Sequence, residues 1–171
     1  FLPTSSIKEV YEKVSKLLQN ALARRILHTR SKTLVIGVSG GLDSTLALLI
    51  ACSTFKMIGL DPKNIIGVTM PGLGTSSRTK NNAIKMMEKL GITMKNIDIS
   101  QEVLDHFKLI EHDPELLDIT YENTQARYRT FILMNMANKY NGLVLGTGDM
   151  SELALGWCTY NGDQMSMYGI N

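Results

Sequence analysis

The sequence predicts an α/β fold, a parallel sheet with helices on both faces. Three observations lead there. Short runs of β-branched and aliphatic residues alternate with longer stretches of helical period. The first run leads directly into Ser39-Gly40-Gly41-Leu42-Asp43-Ser44, a turn built to bring ligand and backbone together. Two more polar, glycine-bearing loops, 71–77 and 146–152, follow the second and the last of the runs. In such sheets ligands bind outside the carboxyl ends of the strands, so the three loops are expected to form one site.

The elements can be justified in order. Ser6-Ile7-Lys8-Glu9 has capping-box spacing, and Ile7, Val10, Tyr11, Val14, Leu17, Leu18, Ala21 and Leu22 keep a helical period, predicting a helix over 7–28. Residues 33–38 form an unbroken apolar run, as expected of a strand covered on both faces. A helix over 44–57 follows, with Ser44 near its start and Cys52 on a helix that reads as buried on most sides. Asp61-Pro62-Lys63-Asn64 is a turn signal, and 65–70 is the second strand. Ala83, Met86, Met87 and Leu90 mark the inner face of a third helix that Gly91 stops. A third strand is expected over 93–99, then a short helix capped by Ser100 and ending near Lys108, then a loop at 112–115. A long helix over 120–140 carries Tyr128, Ile132, Met136 and Tyr140 along one stripe. The fourth strand, 143–146, is broken by Gly146-Thr147-Gly148-Asp149. Parallel strands joined through helices imply right-handed crossovers.

Composition sets bounds. At 171 residues, with 44% hydrophobic and 20% charged residues, the chain is one globular domain with a real core. Its net charge of +2 and lack of a basic run argue against nucleic acid as a partner. No stretch approaches the ~20 apolar residues of a membrane span. Cys52 and Cys158 have no metal-type spacing, and a reducing, cytoplasmic setting is expected. His28, His106 and His112 stand in no ligand pattern. The chain opens on Phe1 and stops after a Gly- and Met-rich run, so both ends read as cut from a longer protein.

Three constellations carry chemistry. Amides of a double-glycine turn at a helix start suit phosphate. The turn has an aspartate where a Walker-type loop has lysine, and a carboxylate beside phosphates requires an intervening cation. Asp43 is therefore expected to be a magnesium ligand, the alternative being that Asp43 and Ser44 merely cap the helix. Glu152, just past Ser151, is either a helix-capping residue or a second oxygen ligand for the same ion. On the long helix, Asn123, Arg127 and Thr130 share a face, while Arg129 lies roughly 200° of helical turn from Arg127. One arginine is expected to hold a phosphate or carboxylate and the other to make a surface or inter-subunit contact.

Ser39-Gly40-Gly41-Leu42-Asp43-Ser44 resembles the pyrophosphatase loop of the N-type ATP pyrophosphatases. That superfamily includes NAD, GMP, asparagine and argininosuccinate synthetases. Three further runs narrow the choice: Glu122-Asn123-Thr124-Gln125-Ala126-Arg127, Gly146-Thr147-Gly148-Asp149-Met150-Ser151-Glu152-Leu153-Ala154-Leu155-Gly156, and Trp157-Cys158-Thr159-Tyr160-Asn161-Gly162-Asp163. Together they are similar to the synthetase domain of the NAD(+) synthetases, in particular the glutamine-dependent form. The likeness runs from about Leu22 to Asn171.

The resemblance implies a Rossmann-like fold of the adenine nucleotide alpha hydrolase type. It implies residues 1–28 as a helix leading in from an upstream domain, and 29–171 as the ATP pyrophosphatase domain, truncated at its carboxyl end. It implies ATP-dependent amidation of deamido-NAD to NAD through an adenylated nicotinate carboxylate, releasing AMP and pyrophosphate. Magnesium would be the cofactor and ATP a co-substrate. Gly37, Ser39, Gly40, Gly41, Asp43, Ser44 and Thr147 would bind ATP, with Asp43 and Glu152 holding the metal and carrying catalysis. Asn123, Arg127, Arg129, Glu152, Trp157, Tyr160 and Asp163 would meet deamido-NAD. Tyr160 stands where the small ammonia-dependent enzymes have lysine, which supports the glutamine-dependent branch. Trp157 is either a core aromatic or a stacking surface for a ligand ring. A glutaminase domain of the same parent chain would supply ammonia, and a homo-oligomer built from dimers is expected. The alternatives are a GMP synthetase-like amidotransferase and a non-catalytic ATP-binding module.

Overall fold

A computed structural model describes residues 4–75 and 77–170. Residues 1–3 of the predicted leading helix, Ser76 of the predicted 71–77 loop, and Asn171 lie outside the described residues. Five parallel strands form one sheet in the order β3-β2-β1-β4-β5: β1 Leu34–Gly37, β2 Ile65–Thr69, β3 Thr93–Asn96, β4 Leu143–Gly146 and β5 Tyr168–Gly169. Helices α1 Thr4–Thr29, α2 Leu42–Met57 and α3 Ser77–Lys89 contribute to one core, and α4 Ser100–Leu109 and α5 Ile119–Lys139 to another. A short α6, Met150–Leu155, follows β4.

The strand period of two sorts side chains between the two cores. Leu34, Ile36 and Val38 join Leu48, Ala51 and Phe55 of α2 on one face, while Val35, Ile66, Val68 and Val144 meet Val103 and Phe107 of α4 on the other. Both faces of the sheet are thus covered, which is why β1, β2 and β4 are apolar at nearly every position. Gly67 is the exception inside β2, and packing explains it. A Cβ there would overlap Met87 Sδ and lie 2.8 Å from Ile92 Cδ1.

Several sequence expectations are corrected. The leading helix is already running at Thr4, so Ser6 sits inside it and is no cap. The apolar stripe of α1 divides in two: Leu22 and Ile26 are buried, while Ile7, Val10, Tyr11, Val14 and Leu17 are exposed. Helix α2 begins at Leu42, earlier than expected, because Gly41 is extended and serves as its N-cap. Its exposed Leu42, Leu46 and Leu49 show that α2 is covered on one side only, and Cys52 is half-buried. The third strand ends at Asn96 instead of Ile99. Ser100 is the first residue of α4 and not its cap. Ile99 holds the cap position, and Asp98 Oδ1 accepts the Ser100 N–H at 2.9 Å. Strand β5 is absent from the sequence reading, since two residues are too few to show a period.

Two outcomes follow from the packing. Gly67→Ala should destabilise the protein by about 1–3 kcal/mol through overpacking against Met87, read as a lower urea midpoint with unchanged m. The second concerns Asp118, the N-cap of α5, whose carboxylate accepts N–H bonds from Thr120 at 2.8 Å and Tyr121 at 3.0 Å. The Tyr121 amide is the largest influence holding this carboxyl below its usual value, and His112, 3.5 Å away, adds to it. A depressed acid contributes stability above its unfolded pKa and loses it as pH falls through the folded one. Asp118→Ala should therefore lower the melting temperature at pH 7, with the deficit shrinking only below about pH 3.9. A deficit independent of pH would remove the charge from the explanation.

Candidate active site

Strand order reverses between β1 and β4: β2 and β3 extend the sheet from one side of β1, and β4 and β5 from the other. At the carboxyl ends of β1, β2 and β4 the loops diverge and leave a cavity of about 440 Å³. The three glycine-bearing loops named from the sequence all reach it, through Ser39–Ser44, Pro71–Thr75 and Gly146–Glu152.

The first wall is the double-glycine turn. Gly40 takes φ of 87°, a conformation that side chains with a Cβ rarely adopt. Ser39 Oγ accepts the Gly41 N–H at 3.2 Å and lies 3.1 Å from Ser44 Oγ, cross-bracing the turn. Ser44 and Thr45 hydroxyls both donate to the Gly41 carbonyl, at 3.2 and 2.7 Å. With Gly41 as N-cap, Asp43 and Ser44 lie in the first turn of α2, so the reading of these two as caps is overturned. The first-turn amides have no helical carbonyl to meet, and they flank the cavity. Gly37, Ser39, Gly41, Asp43, Ser44 and Thr147 line it, whereas Gly40 shapes the turn from behind.

Glu152 lines the same cavity from the opposite loop. It also completes a capping box. Asp149 Oδ1 accepts the Glu152 N–H at 2.7 Å, and Glu152 Oε2 accepts the Asp149 N–H at 3.2 Å. The capping reading of Glu152 is therefore realised, and the cap uses one carboxylate oxygen, leaving the other outside that bond. Among the described residues no group of three or more His, Cys, Asp or Glu could hold a metal. Two carboxylates facing a phosphate-sized cavity nonetheless suit magnesium, which is commonly held by one or two carboxylates, water and substrate phosphates. The donor set fits an ion that arrives with a nucleotide and not a permanent cage.

Arg129 is the cation of the cavity. Its Nε donates to the Met70 carbonyl at 3.1 Å, tying α5 to the end of β2. Burial pulls the guanidinium down from its usual value, and the Asp163 carboxylate opposes that shift. A desolvated guanidinium with its Nε committed has its remaining donors for an anion. Arg127 has a different task. It is exposed, and its Nε donates to the Tyr160 carbonyl at 3.1 Å. On the same face of α5, Asn123 Oδ1 accepts the Thr159 hydroxyl at 2.8 Å and Thr130 donates to the Gly162 carbonyl at 2.6 Å. The 157–163 loop is thus laid along this face.

Of the seven residues expected to meet deamido-NAD, Arg129, Glu152 and Asp163 line the cavity. Asn123, Arg127, Trp157 and Tyr160 do not. Asn123, Arg127 and Tyr160 gather where the loop meets α5, and Trp157 opens the loop, its N–H donating to the Glu152 carbonyl at 2.9 Å. Trp157 is 80% exposed and Tyr160 74%, so the core alternative for Trp157 is overturned. Thr75, Ala126, Leu133 and Met165 also line the cavity and were not singled out in the sequence. Only Thr130, sharing a face with Asn123 and Arg127, left a signal in the spacing. Burial raises the thiol of Cys52 above its usual value, the reverse of an activated thiolate.

A family model described as NAD synthase matches residues 12–168. The chain belongs to the NAD synthase family. It is 45% identical over 157 residues to the glutamine-dependent NAD(+) synthetase of Mycobacterium bovis, covering 89% of this chain and 23% of that protein. To the NH(3)-dependent NAD(+) synthetase of Pyrobaculum aerophilum it is 34% identical over 154 residues, covering 90% of this chain and 55% of that one. Among solved structures, the glutamine-dependent NAD+ synthetase of Acinetobacter baumannii in complex with ADP superposes with a TM-score of 0.85 at 30% identity. The match covers 94% of this chain and 30% of that one. The expected fold, a parallel sheet with helices, is the one these NAD synthase relatives have.

The capping role of Glu152 has a testable consequence. Glutamine also serves at this capping position, so Glu152→Gln should keep the amide contact and lose only the dipole interaction, about 0.3 kcal/mol, in urea unfolding. Glu152→Ala should lose about 0.5–1 kcal/mol with the amide contact and the dipole interaction. Equal stabilities for the two variants would show that the bond to the Asp149 amide contributes nothing.

Proposed function

We propose that this chain is the synthetase part of a glutamine-dependent NAD(+) synthetase, amidating deamido-NAD at the expense of ATP. The observation that carries the reading is the meeting of Asp43 and Glu152, more than a hundred residues apart in sequence, on one cavity with the double-glycine turn and Arg129. The named relatives support the activity, and higher identity to the glutamine-dependent protein than to the ammonia-dependent one supports the branch. The Acinetobacter relative carries ADP, which supports an adenine nucleotide here.

A carboxylate resists amidation because its leaving group would be oxide. In the proposed reaction a nicotinate carboxylate oxygen attacks the α-phosphorus of ATP. The bond from that phosphorus to the bridging oxygen breaks, and pyrophosphate leaves. Ammonia then attacks the acyl carbon, AMP departs with the former carboxylate oxygen, and the nitrogen loses a proton. The protein's contribution is positioning and electrostatics. Ser39, Gly41, Ser44 and the first-turn amides of α2 would hold the phosphates, with Thr147 on the nucleotide from the facing loop. Asp43 and Glu152 would hold magnesium, which when bound neutralises charge building on the leaving pyrophosphate. Arg129 would hold an anionic group of either substrate, and exposed Trp157 and Tyr160 offer rings on which deamido-NAD can stack. Asn123, Arg127 and Asp163 would fix the loop that carries them and meet the ligand beside it.

The parent protein is proposed to add a glutaminase domain and to assemble as a homo-oligomer in the cytoplasm. The matched relatives are much longer, the exposed stripe on α1 suits further contacts, and both cysteines are free. No helix among the described residues is long and apolar enough to cross a membrane.

The full-length protein, given ATP, magnesium, ammonia and deamido-NAD, should form NAD, AMP and pyrophosphate in equal amounts. Asp43→Asn should reduce pyrophosphate release by roughly 100-fold or more with an unchanged melting temperature. Combined with Glu152→Gln it should lose little more, since residues acting as a unit are non-additive. ATP binding without any AMP formation by the wild-type protein would leave a nucleotide-binding module instead.

A further inference from the structure

We infer that Thr130 is a positioning residue: its hydroxyl latches the 157–163 loop to α5 and thereby sets Asp163 across the cavity from Arg129. This inference rests on the proposed reaction only for its kinetic readout.

The loop is closed by its own bonds. The Gly162 N–H donates to the Thr159 carbonyl at 2.9 Å, the Thr159 N–H to Asp163 Oδ1 at 2.9 Å, and the Met165 N–H to the Gly162 carbonyl at 2.9 Å. No side chain fits at Gly162, because a Cβ would lie 2.7 Å from Thr159 Cγ2. The turn is therefore a preformed unit, and what fixes its place is its attachment to α5. Three side chains make that attachment, spaced one helical turn apart: Asn123, Arg127 and Thr130. The Arg127 bond is exposed and the Asn123 bond half-buried, so water competes for both. Thr130 is 5% exposed and its 2.6 Å bond is buried. Without the Thr130 hydroxyl the Gly162 carbonyl keeps only the Met165 N–H of its own loop and loses its buried tie to α5, whereas an exposed group turns to water. Of the three rungs, Thr130 is the one whose loss the solvent cannot repair.

The latch lies next to the chemistry. Thr130 itself lines the cavity, as does Asp163, the next residue after the latched Gly162. Arg129 adjoins Thr130 in sequence and lines it too. One turn of α5 thus carries the cation of the site and the donor that places its facing carboxylate. Loosening the loop would displace Asp163, Tyr160 and Trp157 together.

The test uses full-length protein and three forms: wild type, Thr130→Val and Thr130→Ser. Valine removes the hydroxyl at nearly constant volume, and serine keeps it. Hydrogen–deuterium exchange should show faster uptake in the peptide spanning 157–165 for Thr130→Val, and wild-type uptake for Thr130→Ser. Thr130→Val should lower kcat/KM for deamido-NAD by roughly 10- to 100-fold, the scale of a displaced contact, with magnesium-ATP affinity within about twofold of wild type. Serine should restore it. Wild-type exchange and kinetics in Thr130→Val would overturn the inference. So would a parallel loss in Thr130→Ser, or equal weakening of both substrates with a lower melting temperature, since either means packing. If the wild-type protein makes no NAD, the proposed reaction fails, and the exchange comparison alone still upholds or refutes the latch.

Discussion

Everything at the site depends on β1 pairing with β2 on one edge and with β4 on the other. Leu34 stands beside Ile65 and beside Leu143, so one strand serves as the register for both halves of the sheet. All of these pairings are parallel, which sends every carboxyl end to the same side. Because the chain runs from β1 outward through β2 and β3 and then crosses back to β4 on the other side of β1, the loops after β1 and β4 lead away from each other. A crevice results from topology, before any side chain is chosen. Residues as distant in sequence as Asp43 and Glu152 meet across it because their strands are hydrogen-bonded neighbours.

Helix α5 is the second device, and it works by presenting different chemistry at successive angles. Its apolar stripe of Tyr128, Ile132, Met136 and Tyr140 packs into the core of one sheet face. Arg129 reaches the end of β2, and Asn123, Arg127 and Thr130 reach the 157–163 loop. A single rigid rod therefore sets the distance between a strand end and a loop that have no covalent connection nearby. The half-buried guanidinium of Arg129 is tolerable because the Met70 carbonyl and the Asp163 carboxylate face it. Each of those partners is itself placed by a neighbouring element.

The sequence was most legible where one physical rule dominates. Strands β1, β2 and β4 are covered on both faces, and their apolar runs are readable at a glance; the bounds of β4 agree residue for residue. The double-glycine turn was legible because it directly follows an apolar strand, and Gly40 takes the positive φ that glycine adopts without strain. Legibility fell where two rules compete. Ser100 looks like a cap, yet Asp98 accepts its amide hydrogen from two residues earlier, so the helix begins one residue sooner. Arg127 and Asn123 look like ligand contacts, and the structure additionally commits atoms of each to the loop backbone or its Thr159 hydroxyl. Such bonds span more than thirty residues and leave no local pattern. The same holds for β5, whose Tyr168 pairs with Leu145 through a register that only the finished sheet defines.

The distribution of charge in the cavity explains why lysine is dispensable in the phosphate turn. A Walker-type lysine offers a fixed cation to the phosphates. Here the fixed cation is Arg129, across the cavity on α5, while the turn itself bears Asp43. With Asp43, Glu152 and Asp163 all on its wall, the cavity carries more fixed negative than positive charge. A polyphosphate entering alone would be repelled at the turn, whereas one accompanied by a divalent cation would not. In the proposed function, this arrangement would favour a metal-bound nucleotide over a free one. It also leaves Arg129, held from β2 on one side and faced by Asp163 on the other, as the group that can discriminate where along the cavity an anion comes to rest.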